Sequence, residues 1–572
     1  MKLNFLKFYL TFFIVSLFLI NDNAFSKSSN INHSKESVAN YFSGIVFASQ
    51  DYTKKAFIHF KKVKFLKESH SNYNAQFVRT LVLLGKFDQA FSFSKSIWKE
   101  EEFIFEIDLI MGLNYFIKND FLKAEKHFNR LNKITEYNLY FNDLFGNILI
   151  SWIEASKKNQ KKSVLLLDKI PDSFYGLKQI NSSFLHCYFD DAETSNYFKK
   201  LIETKNYSFS RYNFFLINYL LHKGKDQEAK KIIQKIIKEN NSNLLLRQTE
   251  DFISNHNSKK IINFFNCKNP KDNIAEIFYI IANLYSSQDD YQLSNFFIRI
   301  SLFLNGNFSP NKSLLAENLY FQKKYEDSKK ITISLKSIGP IYSWYAARQI
   351  STILLDLENE KMAISYLQNE FDAMPNPTHQ DYYELANFYK NNENYNEAIE
   401  YYSLALNDLP KEHYLFSKIL ENRGTSYERI GDWDKAEKDL LNSLKILPEQ
   451  PYVLNYLAYS WVDRGENIDE ALEMLELAVA LKKNDGYIID SLGWAHFKNK
   501  NYINAEKYLR IALKILPQDP IIHDHYADTL WMLKKNIQAR HIWKNILNLE
   551  GAEKELKDKV SKKILFGLNQ KL

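Results

Sequence analysis

The chain has 572 residues and a formal net charge of +7, with 75 Lys and Arg against 68 Asp and Glu. The basic residues are dispersed, and no basic stripe with interleaved aromatics indicates a nucleic-acid ligand. Only 15 glycines and 11 prolines occur, which excludes collagen-like and low-complexity classes and favours an all-α fold.

The first 26 residues differ in character from the rest. Lys2 and Lys7 precede an apolar run at residues 8–20, and small residues follow at Ala24 and Ser26. This arrangement predicts a signal peptide at residues 1–26, cleaved between Ala24 and Ser28, and a periplasmic protein. The run is shorter than the roughly 20 residues of a membrane span. The alternative is an uncleaved leader that anchors the chain to the inner membrane.

Small residues then recur at a fixed period, each near the middle of a first predicted helix. Near the N-terminus they are spaced by 34 residues (78 − 44 and 112 − 78), and near the C-terminus by 35 and 34 (493 − 458 and 527 − 493). The positions are Gly44, Gly112, Ala458, Gly493 and Ala527, and Val78 stands at the matching position between the first two. Second helices carry a matching alanine, at Ala56, Ala90, Ala124, Ala471, Ala505 and Ala539. A sustained period of this length predicts stacked helical hairpins, an α-solenoid.

The clarity of this pattern changes along the chain. It is regular at residues 37–141, degenerate at 142–270, regular again at 271–375 and clearest at 376–550, and an amphipathic helix at 551–572 is expected to cap the last apolar face. Residues 244–270 are the least regular segment, and either a degenerate hairpin or a loop fits them.

Two blocks carry the pattern in full. The first has Tyr382, Leu385, Ala386, Tyr389, Ala398, Tyr402, Ala405 and Pro410, and the second has Ile489, Leu492, Gly493, Ala505, Leu509, Ala512 and Pro517. These blocks resemble tetratricopeptide repeats, in which small residues let two helices approach and proline ends the second helix. The resemblance implies a right-handed superhelix of antiparallel hairpins.

The C-terminal segments NYLAYSWVDRG, GYIIDSLGWAHF and DPIIHDHYADTLW resemble a narrower group of exported bacterial repeat proteins. That group is similar to outer-membrane lipoprotein adaptors that present substrates to a periplasmic carboxyl-terminal processing protease. This chain departs from them because it has no cysteine near the end of the leader to carry a lipid.

The resemblance also implies a partner-binding face, which in the family is lined by positions 2, 5, 9 and 12 of each first helix. These positions give Tyr383, Asn387, Glu421, Thr425, Glu428, Asn455, Tyr459, Tyr487, Asp490, Trp494, Phe497, Asp524, Asp528 and Trp531. Aromatic side chains among carboxylates suit a peptide with apolar and basic side chains. The alternative is that Trp494 and Trp531 pack between hairpins. The Lys and Asn pattern with which some relatives bind a C-terminal carboxylate is absent here.

Other sites have weaker support. No phosphate loop, GxSxG, HExxH or CxxC motif occurs, so no catalytic residue, metal or cofactor is predicted. His523, His525, Asp524 and Asp528 raise the alternative of a metal site, although an inter-helix role for His523 with solvated acids accounts for them. Cys187 and Cys267 are expected to be two small buried residues. The alternative, a single bridge between them, requires the solenoid to bring together residues two repeats apart, which the stacking of neighbours disfavours.

The sequence therefore predicts a non-catalytic periplasmic scaffold that binds a protein or peptide, with a link to envelope proteolysis or to cell-wall or outer-membrane assembly. Peripheral or N-terminal membrane association is compatible with it. One alternative is an enzyme or transferase with an unrecognised site at residues 142–270, and another is a self-associating structural protein.

Overall fold

The protein is described by a computed structural model, which covers residues 34–135, 144–204, 210–238, 243–357 and 359–568. These residues form 31 α-helices and three short 3₁₀ helices and contain no strand, which confirms the all-α prediction. The predicted leader at residues 1–26 lies outside the described residues. Nowhere in the described ranges is a helix long and apolar enough to cross a bilayer.

The chain divides into two compact units. Unit 1 comprises residues 1–222 and 259–331, and unit 2 comprises residues 223–258 and 332–572. The helices of unit 1 are α1 (Lys35–Ser49), α2 (Thr53–Lys62), α3 (Ser71–Leu83), α4 (Phe87–Ile97), α5 (Phe105–Ile117), α6 (Phe121–Thr135), α7 (Phe145–Ser156), α8 (Gln160–Asp168), α9 (Tyr175–Phe189), α10 (Thr194–Ile202), α11 (Tyr212–His222), α14 (Ser258–Phe264), α15 (Pro270–Ser286), α16 (Tyr291–Leu304) and α17 (Lys312–Phe321). The 3₁₀ helices are Lys64–Glu68, Asp172–Phe174 and Ser309–Asn311.

Unit 2 begins with two helices that precede α14 in the chain, and it continues after the boundary at residues 331 and 332, which falls within α18. Its helices are α12 (Asp226–Lys238), α13 (Leu244–Ser254), α18 (Tyr325–Leu335, shared), α19 (Pro340–Asp356), α20 (Glu360–Asp372), α21 (His379–Asn391), α22 (Tyr395–Leu406), α23 (Tyr414–Arg429), α24 (Trp433–Ile446), α25 (Pro451–Arg464), α26 (Ile468–Leu481), α27 (Gly486–Lys498), α28 (Tyr502–Ile515), α29 (Pro520–Met532), α30 (Asn536–Ile546) and α31 (Lys554–Phe566). Residues 244–270 thus contain helices, but α13 and α14 belong to different units.

Small residues bring the two helices of each hairpin together, as the sequence pattern predicts. Ala386 and Ala398 are fully buried in the hairpin of α21 and α22. A Cβ on Gly493 of α27 would lie 2.6 Å from Cγ of Leu509 in α28, so only glycine permits this approach. Bulky side chains such as Leu509 then fill the groove between the helices.

In unit 1 the chain folds back onto the first helices of its own N-terminal hairpins. The hairpin of α15 and α16 contacts α3, α7 and α9, each the first helix of a hairpin. Phe297 of α16 stacks on Phe145 of α7 with ring centroids 5.9 Å apart, and Phe303 stacks on Phe87 at 4.0 Å. In unit 1, residues 270–304 therefore cover helices that in an uninterrupted stack would be open on that side.

This return also corrects the expectation for the cysteines. Cys187 at the end of α9 and Cys267 before α15 form a disulfide, with Cα atoms 5.9 Å apart. The expectation of two free cysteines assumed a continuous stack, in which residues 80 positions apart do not meet. The chain instead leaves unit 1 after α11 and returns at α14, and this brings Cys267 beside α9.

Candidate functional site

The side chains predicted to bind a partner lie on five first helices of unit 2: α21, α23, α25, α27 and α29. Neighbouring first helices contact each other, α21 with α23, α25 with α27, and α27 with α29. Side-chain caps fix where these helices begin: Thr378 and Asp381 form a capping box at α21, and Asp485 and Asp519 cap α27 and α29. We call the surface formed by these five helices the first-helix face.

A cavity of about 260 Å³ opens on this face between α25, α27 and α29. Four of the predicted residues line it, Asn455, Tyr459, Tyr487 and Asp490. The remaining lining residues are Tyr456, Ser491, Asp519, Ile521 and Ile522. The repeat register therefore brings together side chains from three successive hairpins.

Tyrosines form much of the wall of this cavity. Tyr456 donates a hydrogen bond to Oε2 of Glu428 at 2.7 Å, so Glu428, another predicted residue, supports the wall from α23. Burial raises the pKa of Tyr456, and it raises the pKa of Tyr459 to about 12, with Asp463 and Asp490 adding to the second shift. Both phenols therefore stay neutral near pH 7. Tyr487 is 60% exposed at the rim.

The cavity wall also contains an unused hydrogen-bond acceptor. Oδ1 of Asn455 is buried and has no hydrogen-bond partner among the described residues. An unpaired buried acceptor costs about 1–3 kcal/mol, and a donor from a bound molecule removes that cost.

Asp490 and Trp494 join α27 to α29. Nδ1 of His525 lies 3.1 Å from both carboxylate oxygens of Asp490. Burial alone would lower the pKa of His525, but Asp490, with smaller contributions from Asp524 and Asp528, raises it overall. Trp494 stacks on His525 with centroids 4.0 Å apart and on Phe497 at 4.6 Å.

Three of the predicted binding residues already contact the C-terminal part of the chain. They are Asp524, Asp528 and Trp531. Nζ of Lys563 in α31 donates to both carboxylates at 2.7–2.8 Å, and all three charged groups are buried. Burial and Asp524 raise the pKa of Asp528, and Lys563 opposes that shift. The ring of Trp531 lies against Gly567, where an added Cβ would be 2.1 Å from Cζ2. Because α31 packs against the last hairpin, these positions are inter-helix contacts rather than an open surface.

The other end of the first-helix face has its own polar group of side chains. The hydroxyl of Tyr402 donates to Oδ1 of Asn387 at 2.6 Å, and Nδ2 of Asn422 lies 3.4 Å from the hydroxyl oxygen of Tyr383. Burial raises the pKa of Glu421, although nearby lysines oppose the shift. These contacts hold Tyr383, Asn387 and Glu421 at half-buried positions.

Thr425 contributes little to a binding surface, because its hydroxyl donates to the backbone oxygen of Asn422 at 2.9 Å. The cavity residues that the sequence reasoning missed are Tyr456, Ser491, Asp519, Ile521 and Ile522. Tyr456, Ser491, Asp519 and Ile522 fall outside repeat positions 2, 5, 9 and 12, whereas Ile521 occupies position 2 of α29, as Tyr487 does in α27. The sequence signal that could have indicated Asp519 is its place before Pro520, where an Asp is expected to cap a helix.

The side chains considered for a metal or enzyme site make contacts within the helical packing. Nδ1 of His523 lies 2.8 Å from the backbone oxygen of Asp519, whereas His525 faces Asp490. Across the part of the chain that the structure describes, no three His, Cys, Asp or Glu side chains are grouped as metal ligands. In the region 142–270, Nε of Arg211 donates to the buried Glu276 of α15 at 2.8 Å, and this part-buried ion pair joins two parts of unit 1.

Comparisons with known proteins agree with the repeat pattern. A family model described as "Tetratricopeptide repeat" matches residues 382–407, within the hairpin of α21 and α22. A "TPR repeat-containing protein" of Pseudomonas aeruginosa is 26% identical over 200 residues, which is 35% of this chain and 33% of that protein. The matched region thus spans about a third of the length of that curated relative.

Two solved structures match this chain at low TM-scores. A tetratricopeptide repeat protein from Parabacteroides merdae has a TM-score of 0.34 and 20% identity, covering 39% of this chain and 88% of that one. Yeast Tom70 has a TM-score of 0.35 and 16% identity, covering 80% and 94%.

Proposed function

We propose that this chain, which carries tetratricopeptide repeats, is a non-catalytic scaffold that binds a partner protein at the cavity of the first-helix face. The observation that carries the proposal is this cavity, where α25 and α27 contribute three tyrosines, one of them at the exposed rim, and an unpaired amide oxygen, and α29 contributes two isoleucines. Neutral phenols and amides bind peptides well, because each offers an apolar surface with one polar tip. A few such anchors supply most of the binding energy of an interface.

The proposal also places the protein in the periplasm. Two observations support this placement: the leader pattern at residues 1–26 and the disulfide between Cys187 and Cys267. Structural disulfides persist in oxidising compartments and are rare in the cytosol. A cleaved leader releases the protein, and an uncleaved one holds it at the inner membrane.

The finer part of the proposal concerns the process that the scaffold serves. The resemblance of the C-terminal blocks to adaptors of carboxyl-terminal processing proteases favours a role in envelope proteolysis. A role in cell-wall or outer-membrane assembly is the alternative, and the identity of the crosslinked partner distinguishes the two.

Site-specific crosslinking in cells tests the proposal. A photoreactive amino acid replaces Tyr487 at the cavity rim in one version of the full chain. In the matched control it replaces Ile537, which is 87% exposed on the second helix of a hairpin. We expect one dominant protein adduct from position 487, absent from position 537 and reduced by Tyr459→Ala. Equal adducts at both positions, or none at 487, would contradict the proposal.

A further inference from the structure

We propose that the cavity between α25, α27 and α29 receives the side chain of an arginine in the bound partner. This inference rests on the proposed function and specifies the chemistry of the partner at that site. Four features of the cavity carry it: its size, its charge, its aromatic walls and its unpaired acceptor.

The size of the cavity favours one side chain over a whole metabolite. Small-molecule pockets usually measure about 300–1,000 Å³, and this open cavity of about 260 Å³ lies just below that range and accommodates one long side chain. A single long side chain with its first water molecules suits such a space.

The charge of the lining favours a cation. Asp490 and Asp519 line the cavity, and the described residues of its lining include no Lys or Arg. Oδ1 of Asp519 accepts the backbone N–H groups of Ile521 and Ile522, and Asp490 faces His525 on its other side. Each carboxylate has about four acceptor positions, so both retain capacity for a further donor.

Arginine fits better than lysine for two reasons. The guanidinium is planar and stacks on aromatic faces, and Tyr456, Tyr459 and Tyr487 supply such faces here. It also carries five N–H donors in a fixed arrangement, which suits a lining with several acceptors, among them the carboxylates of Asp490 and Asp519 and the amide of Asn455. A lysine ammonium is a compact and strongly hydrated charge, so it gains less from the tyrosine walls.

One hairpin further along the chain, the first-helix face already binds a cationic side chain of the protein itself. Asp524 stands 34 residues after Asp490 (524 − 490), at the same repeat position, and it binds Lys563 of α31. His525, whose pKa is raised, occupies the corresponding place beside Asp490. A carboxylate at this repeat position therefore pairs with basic groups in both hairpins.

Ligand-observed saturation-transfer NMR on the purified full chain tests the inference. The probes are four acetylated and amidated tripeptides with central arginine, lysine, citrulline or norleucine between two alanines. We expect the arginine peptide to bind, and the citrulline peptide, which keeps the shape but loses the charge, to bind about tenfold more weakly. Equal binding of the arginine and citrulline peptides, or of the arginine and lysine peptides, would overturn the inference.

Three variants locate the binding. Asp490→Asn and Tyr487→Ala should each weaken the arginine peptide several-fold, whereas Asp434→Asn, the same charge change at an exposed position of α24, should not. Because Tyr487 is exposed at the rim, its replacement leaves the fold intact even if Asp490→Asn does not. Unchanged binding in folded Tyr487→Ala would overturn the inference.

The outcome is separable from that of the crosslinking experiment. A partner captured at position 487 without arginine selectivity would leave the scaffold function standing and remove this inference. Arginine selectivity without any captured partner would remove the scaffold function and, with it, the assignment of the arginine to a bound partner, and would leave only the preference of the cavity for arginine.

Discussion

At the residue scale, Gly493 shows how closely the first and second helices of a hairpin approach. A methyl group at this position would lie 2.6 Å from Cγ of the fully buried Leu509. Alanine favours a helix over glycine by about 1 kcal/mol, but overpacking a core typically costs about 1–3 kcal/mol. We therefore expect Gly493→Ala to destabilise the protein and to lower the midpoint of its urea unfolding transition.

The exposed Lys498→Ala in the same helix is the control, and its midpoint should change little. A Gly493→Ala protein that is more stable than the wild type would show that helix propensity outweighs the close contact.

Lys563 is a second residue on which the fold depends. It is buried and pairs with Asp524 and Asp528, so Lys563→Met leaves two buried carboxylates without a cation. Removing one partner of a buried ion pair costs about 3–5 kcal/mol. We expect faster hydrogen exchange throughout α31 and a lower unfolding free energy, and Lys562→Met at the exposed neighbouring position should change neither. Normal exchange in Lys563→Met would mean that apolar contacts alone hold α31.

Much of the candidate site follows from the register of the repeats. Asn455, Tyr459, Tyr487 and Asp490 were predicted from their repeat positions, and the structure places all four around one cavity. The burial of Asp524 and Asp528 was not predictable in this way. The final helix has several lysines, and which of them turns inward depends on how α31 packs, for which the repeat pattern holds no information.

At the scale of elements, the contact between α27 and α29 depends on pH through His525. The folded state raises its pKa above the ordinary value of about 6.5. The charged groups that act on it are Asp490 from α27 and Asp524 and Asp528 from α29, and Lys563 from α31 pairs with the last two. A raised folded-state pKa means that the protonated ring stabilises the fold below pH 6.5 and that this contribution is lost as the pH rises through the folded value.

We expect the difference in unfolding free energy between wild type and His525→Gln to be largest on the acidic side of pH 6.5 and to shrink above it. Urea titrations of both proteins from pH 5.5 to 9 measure this difference. A difference that grows with pH would show that burial, rather than Asp490, dominates the titration of His525.

A second element-scale prediction concerns the disulfide, which ties α9 to the segment before α15. It closes a loop of 80 residues, and the loss of chain entropy in the unfolded state corresponds to roughly 4–5 kcal/mol of stabilisation. We expect reductant to lower the melting temperature of the wild type. The variant Cys187→Ser with Cys267→Ser should melt at the lower temperature and be insensitive to reductant. A wild type unaffected by reductant would contradict the structural role.

The helices themselves were largely predictable, because each hairpin carries its own apolar period and its own small residues. Which hairpins pack against each other was less predictable. The pattern of α15 and α16 is that of an ordinary hairpin, and nothing in it distinguishes packing on the preceding repeat from packing on α3, α7 and α9. That choice depends on contacts between residues far apart in the sequence, such as Phe145 and Phe297.

At the scale of the whole molecule, the chain is organised as two units rather than as repeats counted in order. Unit 1 combines residues 1–222 with residues 259–331, and unit 2 combines residues 223–258 with residues 332–572. Each unit is therefore built from one long and one short stretch of sequence. In unit 1 the first helices α3, α7 and α9 are covered by α15 and α16, whereas in unit 2 the three first helices α25, α27 and α29 line the cavity. The sequence predicted one extended partner-binding face, and the described structure concentrates the candidate site in three hairpins.

The return of the chain into unit 1 also determines when that unit can be completed during synthesis. After residue 222 leaves the ribosome, 109 further residues (331 − 222) must follow before the last part of unit 1 is available. At about 5–20 residues per second, this takes roughly 5–20 seconds. During that interval aromatic side chains such as Phe145 and Phe87 lack their partners Phe297 and Phe303. Unit 1 is therefore completed only once α16 is available, whether the chain folds during synthesis or after export.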